Sequence, residues 1–246
     1  MAEFKIPTEM VELPSQGAFY PEGHPLRKGT VEMKYMTAKE EDILTNQNYI
    51  NKGIVIDKLL QALIQDEFDF NDLLIGDKEA LMIAARILAY GKDYTFEYDK
   101  GEYTADLTTL NPKELTEEQI SEGLREYSIT LPQSENVITF KLLTHGDERK
   151  VTQEVEGMKK VSKSKAPGVG IVRLKYIITS VNGDSEPGSI KNFVDNYLLL
   201  ADARALRKEY ERVMPGIDLT VNAVSDDGEE KEMVLPIGLS FFWPDL

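Results

Sequence analysis

Twice in this chain a run of apolar residues at helical spacing gives way directly to a hairpin signature. Nowhere do strands and helices alternate over the lengths that a doubly wound parallel sheet requires. The first helical run opens at Thr37-Ala38-Lys39-Glu40, where hydroxyl and carboxylate can satisfy each other's orphan backbone donors in a capping box. Ile56, Leu59, Leu60, Leu63 and Ile64 then share one helical stripe. Asp77 is placed to cap a third helix from Lys78 to Tyr90, stopped by Gly91, and its nearly all-apolar stretch Ala80–Ala85 predicts a central position. Tyr94–Tyr98 and Tyr103–Leu107 flank Asp99-Lys100-Gly101-Glu102, a turn in which glycine is expected to supply positive φ. The second run opens at Pro187-Gly188-Ser189. Its stripe of Ile190, Phe193, Val194, Tyr197 and Leu198 is continued by Leu206, Tyr210 and Val213 as far as Pro215-Gly216. Leu219–Val221 then answers Met233–Leu235 across Asp226-Asp227-Gly228.

The remaining segments read less regularly. Before Thr30, Pro7, Pro14, Pro21 and Pro25 with Gly17, Gly23 and Gly29 exclude a helix or a central strand, and the apolar residues are too many for a free tail. An arm laid across a surface is expected there, followed by a strand at Thr30–Met36. Asn111-Pro112 predicts a short helix ending near Arg125, and Ser128–Leu131 and Val137–Leu143 predict strands about a turn at Pro132-Gln133-Ser134. Val151, Val155 and Met158 give a weakly amphipathic helix running into a Lys/Ser stretch that ends in Pro167-Gly168. Ile171–Val181 fits a helix by spacing and a strand by its β-branched residues. The expected fold is α+β, mainly helical with short antiparallel β-hairpins, in two lobes joined by a Lys/Ser/Pro/Gly linker. The expected division is an extended arm at 1–28, a helical lobe with hairpin at 29–165, and a helix-hairpin lobe at 166–246.

Composition narrows the function. Hydrophobic residues make up 41% of the 246 positions, enough for a sizeable core. No apolar stretch approaches the roughly 20 residues that span a bilayer, and the start Met1–Pro7 predicts no secretory signal, so no membrane partner is expected. With zero cysteines, disulfides, cysteine zinc sites and thiol catalysis are excluded, and a reducing, cytosolic compartment fits. A formal net charge of −15 repels phosphate. The basic cluster Lys159, Lys160, Lys163 and Lys165 reads as a solvated helix end, so no nucleic-acid partner is expected.

The chemistry-bearing residues form no recognisable set. There is no Gly-x-Ser-x-Gly elbow, and His24 and His145, the only histidines, are expected in solvated loops. Asp66–Asp72 resembles a calcium loop but lacks the central glycine, and Asp77 stands where the closing glutamate belongs. Gly168-Val169-Gly170 is only a fragment of a phosphate-binding loop. Pairing carboxylates among 43 acidic residues would be arbitrary. No catalytic residue, metal or cofactor is expected. What remains is aromatic: Phe241, Phe242 and Trp243 near one end, with Phe19 and Tyr20 near the other, are candidate partner-binding residues. The competing reading is that they staple the termini to the chain's own core.

These two ends also carry a family resemblance. Val11-Glu12-Leu13-Pro14-Ser15-Gln16-Gly17-Ala18-Phe19-Tyr20-Pro21-Glu22 resembles the opening motif of baseplate hub assembly proteins of T-even-type tailed phages, and Met33–Leu44 is similar to that family's next block. Asp202–Arg207, Pro215–Leu219 and Phe241-Phe242-Trp243-Pro244 are similar to its C-terminal signature. Some relatives place cysteine pairs in the two hairpins. This chain has Tyr98-Asp99-Lys100-Gly101 and Ser225-Asp226-Asp227-Gly228 there, so no zinc role carries over. The resemblance implies a non-enzymatic protein that helps the baseplate hub assemble in the host cell cytoplasm by binding hub or tape-measure proteins, with homo-oligomers allowed. The alternative is a permanent structural subunit of the virion baseplate.

Overall fold

The computed structural model describes residues 5–99, 101–123, 126–161 and 168–243. In chain order the elements begin with β1 (Thr8–Glu12), β2 (Thr30–Lys34), α1 (Ala38–Leu44), α2 (Gln47–Asn51), α3 (Val55–Leu63), α4 (Ile75–Tyr90), β3 (Asp93–Tyr98), β4 (Gly101–Asp106) and β5 (Asn111–Pro112). There follow α5 (Glu117–Glu122), β6 (Glu126–Thr130), β7 (Val137–Lys141), α6 (His145–Val161), α7 (Val169–Ile177), β8 (Ile178–Val181), α8 (Pro187–Asn196) and α9 (Leu200–Val213). The chain closes with β9 (Ile217–Asp218), β10 (Thr220–Ser225) and β11 (Glu230–Val234).

The expectation of a mainly helical chain is corrected. Helix accounts for 46% and strand for 24%, with the strands gathered into four sheets, so the fold is a mixed α+β one. The extra strand content comes from pairings between distant segments, such as β5 with β9, that no local pattern announces. The division also differs from 1–28, 29–165 and 166–246. One compact unit takes in the residues up to Phe68, Gly76–Glu114 and those from Pro215 onwards, and the other comprises Asp69–Ile75 and Leu115–Met214. The expected linker falls largely at 162–167, outside the described residues. The helices on either side of it, α6 and α7, pack together through Val151, Val155 and Val172 within the second unit.

In the first unit the proline-rich segment is built into the fold. β1 pairs antiparallel with β2, and the chain then coils through buried Leu13, Ser15, Ala18, Phe19 and Tyr20. Gly17 (φ 76°) and Gly29 (φ 75°) approach so closely that a Cβ on Gly17 would lie 2.3 Å from the Arg27 carbonyl oxygen. The capping box forms as expected: the Glu40 carboxylate accepts from the Thr37 backbone N–H at 2.8 Å and from Lys34 Nζ at 2.8 Å. The stripe on α3 buries Leu59, Leu60 and Leu63.

Burial alone would push the Glu40 carboxyl up, but hydrogen bonds from Lys34 and Thr37 outweigh it and hold the group at about 2, against an ordinary 4.5. Because the folded value is the lower one, this contribution is present above about pH 4.5 and is lost as pH falls towards 2. Glu40→Gln is expected to cost about 2 kcal/mol at pH 7, with the gap to the parent closing steadily between about pH 5 and pH 3. Urea unfolding across that range measures it, and a gap that stays constant contradicts this role for Glu40.

Asp77 does not cap a helix starting at Lys78. α4 begins earlier, at Ile75, and Asp77 lies in its first turn. The predicted first hairpin forms as β3–β4, but the positive φ falls on Asp99 (φ 47°) and not on Gly101. Asn111-Pro112 opens no helix and instead bridges to β9. The two hairpins join through Thr104–Val224 and Tyr103–Ser225 into one antiparallel sheet of order β11-β10-β4-β3.

In the second unit β6, β7 and β8 form a three-stranded antiparallel sheet, and the ambiguous Ile171–Val181 divides into the end of a helix and a strand. His145 is interior at 5% exposed, its ring edge-on to Phe70 at 4.8 Å, which corrects the expectation of a solvated loop histidine. The long helix predicted from Pro187 to Val213 breaks into α8 and α9, because Leu199 takes an extended backbone (ψ 150°). The break sets up a buried anchor: both oxygens of the Asp202 carboxylate accept backbone N–H groups of the β6–β7 turn, from Gln133 at 2.8 Å and Ser134 at 3.1 Å.

Candidate protein-binding surfaces

Four of the five residues expected to bind partners are committed to the interior of the first unit. Phe19 and Tyr20 are 5% and 4% exposed. The Tyr20 hydroxyl donates to Asp77 Oδ2 at 2.7 Å, while the Ser15 backbone N–H donates to Oδ1 at 2.9 Å. Burial pushes the Asp77 carboxyl up, and these hydrogen bonds work against it. The opening motif is thus a clasp that closes the chain onto the first turn of α4. Phe241 and Phe242 are 0% exposed, with Phe241 edge-on to Tyr94 at 4.8 Å and to Phe242 at 5.5 Å. These rings are a core, because eclipsing so much apolar area from water outweighs any gain from leaving it bare. As surface contacts they are corrected.

Trp243 differs. It is half-buried and borders a groove of about 420 Å³ that runs along β3, lined also by Tyr94, Phe96, Glu97, Glu102 and Pro236. Among the described residues β3 is an edge of its sheet, pairing with β4 on one side only. Glu97 and Glu102 face each other directly across that pairing, and neither has a cationic partner among the described residues.

The second unit presents an apolar corner that the sequence reading missed. At the turn between α8 and α9, Tyr197 is 63%, Leu199 42% and Leu200 81% exposed. Periodicity assigned Tyr197 to a buried stripe. The usable signal was the unbroken run Tyr197-Leu198-Leu199-Leu200, since four consecutive residues cannot all face one side of a helix.

Among the described residues, no group of three or more His, Asp or Glu residues is placed to hold a metal ion, and no helix is long and apolar enough to cross a membrane. Burial pushes the Tyr210 phenol up to about 12, which makes it a poor proton donor at neutral pH, and its hydroxyl accepts the Leu143 backbone N–H at 3.2 Å. Comparison with models of known families, with curated proteins and with solved structures found no match.

Proposed function

We propose that this chain is a non-enzymatic assembly factor that helps the central hub of a phage tail baseplate form in the host cytoplasm, by binding hub or tape-measure proteins. The observation that carries the reading is the apolar corner. Leu200, at 81% exposed, sits beside Tyr197 and Leu199 on a turn whose position is fixed by the buried Asp202 anchor. A rigidly held cluster of bare apolar side chains is the usual mark of a protein contact. The resemblance of the opening and closing segments supplies the class of partner, and the net charge of −15 would keep such complexes soluble.

Co-expression with each hub and tape-measure component, followed by size-exclusion chromatography, tests the reading. One component is expected to co-elute. The double variant Tyr197→Ser/Leu200→Ser is expected to weaken that affinity at least about tenfold, with the melting temperature changed little, because both side chains are already solvated. Failure of every component to co-elute, or undiminished binding by the variant, overturns it. Mass spectrometry of purified virions is expected to find the chain nearly absent; stoichiometric amounts would instead make it a permanent subunit.

A further inference from the structure

We infer that the groove along β3 receives an extended, basic segment of a partner protein, which adds to the sheet as a fifth strand. The inference rests on the reading of the chain as a protein-binding one, and it names the contact that the first unit makes.

The argument begins with the two edges of the sheet β11-β10-β4-β3. An edge strand exposes a row of backbone N–H and C=O groups that invites pairing, and proteins blunt such edges with charge. β11 is blunted in this way, by Glu230, Lys231 and Glu232 in succession. β3 carries only acidic charge, Asp93 and Glu97, on either side of a centre of Tyr94-Thr95-Phe96, residues that favour strand pairing. The groove of about 420 Å³ is lined by Tyr94–Glu97 of this strand together with Glu102, Pro236 and Trp243. An added strand would find backbone partners on β3 and the partly exposed Trp243 ring for one of its side chains.

Charge selects the occupant. Among the described residues, the only carboxylates or amines lining the groove are Glu97 and Glu102, directly opposite each other in register. Like charges so placed repel, and no described cation relieves them. A lysine or arginine on the incoming strand would do so, and could also lie against the Trp243 ring. The same charges argue against a second copy of this chain. Edge-to-edge pairing of two β3 strands would bring together Asp93 and Glu97 from both copies.

Trp243 is the single tryptophan, so its emission reports the groove directly. The probe is a synthetic peptide alternating lysine and valine. It is expected to change Trp243 emission saturably, more weakly as salt rises, and at least tenfold more weakly in the Glu97→Gln/Glu102→Gln variant. A glutamate/valine peptide is expected not to bind, and a lysine/valine peptide N-methylated at alternate amides is expected to bind at least tenfold more weakly. No saturable change, equal binding of the acidic peptide, indifference to the double variant, or indifference to N-methylation each overturns the inference. Co-elution of a hub component alongside a negative peptide result would sink the groove and leave the assembly reading standing. Saturable peptide binding without co-elution would do the reverse.

Discussion

Replacing Phe241 with Ala is expected to destabilise the first unit by about 3–5 kcal/mol, the range for truncating a fully buried phenylalanine. The ring is 0% exposed and lies edge-on to both Tyr94 and Phe242, so its removal opens a cavity among aromatic neighbours that cannot collapse without losing contacts of their own. At about 2–4 °C per kcal/mol for a chain of this length, the melting temperature should fall by at least about 6 °C. Partner binding per folded molecule should be unchanged, because the ring is not at the surface. A variant that melts with the parent but loses its partner would return Phe241 to the interface and contradict this assignment.

Gly76→Ala is expected to cost about 3 kcal/mol or more, a large penalty for one methyl group. A Cβ at this position would stand 1.7 Å from the Pro215 carbonyl oxygen, 2.6 Å from its carbon and 2.9 Å from the Gly216 Cα. All three are backbone atoms, so no side chain can rotate out of the way, and either the start of α4 or the Pro215-Gly216 segment must shift. Gly157, inside α6, provides the control: nothing lies within 4 Å of its Cβ position. Gly157→Ala should stabilise by about 0.5–1 kcal/mol through helix propensity alone. Chemical denaturation of the two variants side by side reads the difference. Equal effects would mean that the close approach of Gly76 to Pro215 is wrong.

Local signals in the sequence were legible where the cause is local. The Thr37/Glu40 capping box, the α3 stripe and both hairpins depend on residues within a few positions of one another. What escaped depends on distant partners. The joining of the hairpins through Tyr103 and Thr104 with Ser225 and Val224 spans more than a hundred residues, and it covers β4 while leaving β3 at the edge. The break between α8 and α9 answers to Asp202 reaching the turn at Gln133 and Ser134, a demand that periodicity cannot register. Aromatic clusters were the hardest to read, since Phe241-Phe242 looks the same whether it grips a partner or closes a core. Only the packing against Tyr94 distinguishes them.

The chain consumes its aromatic rings at 19–20 and 241–242 in its own core, and the function proposed for it would use the exposed corner at Tyr197–Leu200 and the edge at β3. Hydrogen exchange read by mass spectrometry, on the chain alone and in complex with the co-eluting hub or tape-measure component, measures this most directly. Exchange should slow on binding at 197–200 and at 93–98 while the 13–20 and 239–243 segments, already slow, change little. Unchanged exchange at both surfaces, with new protection confined to the terminal segments, would contradict it.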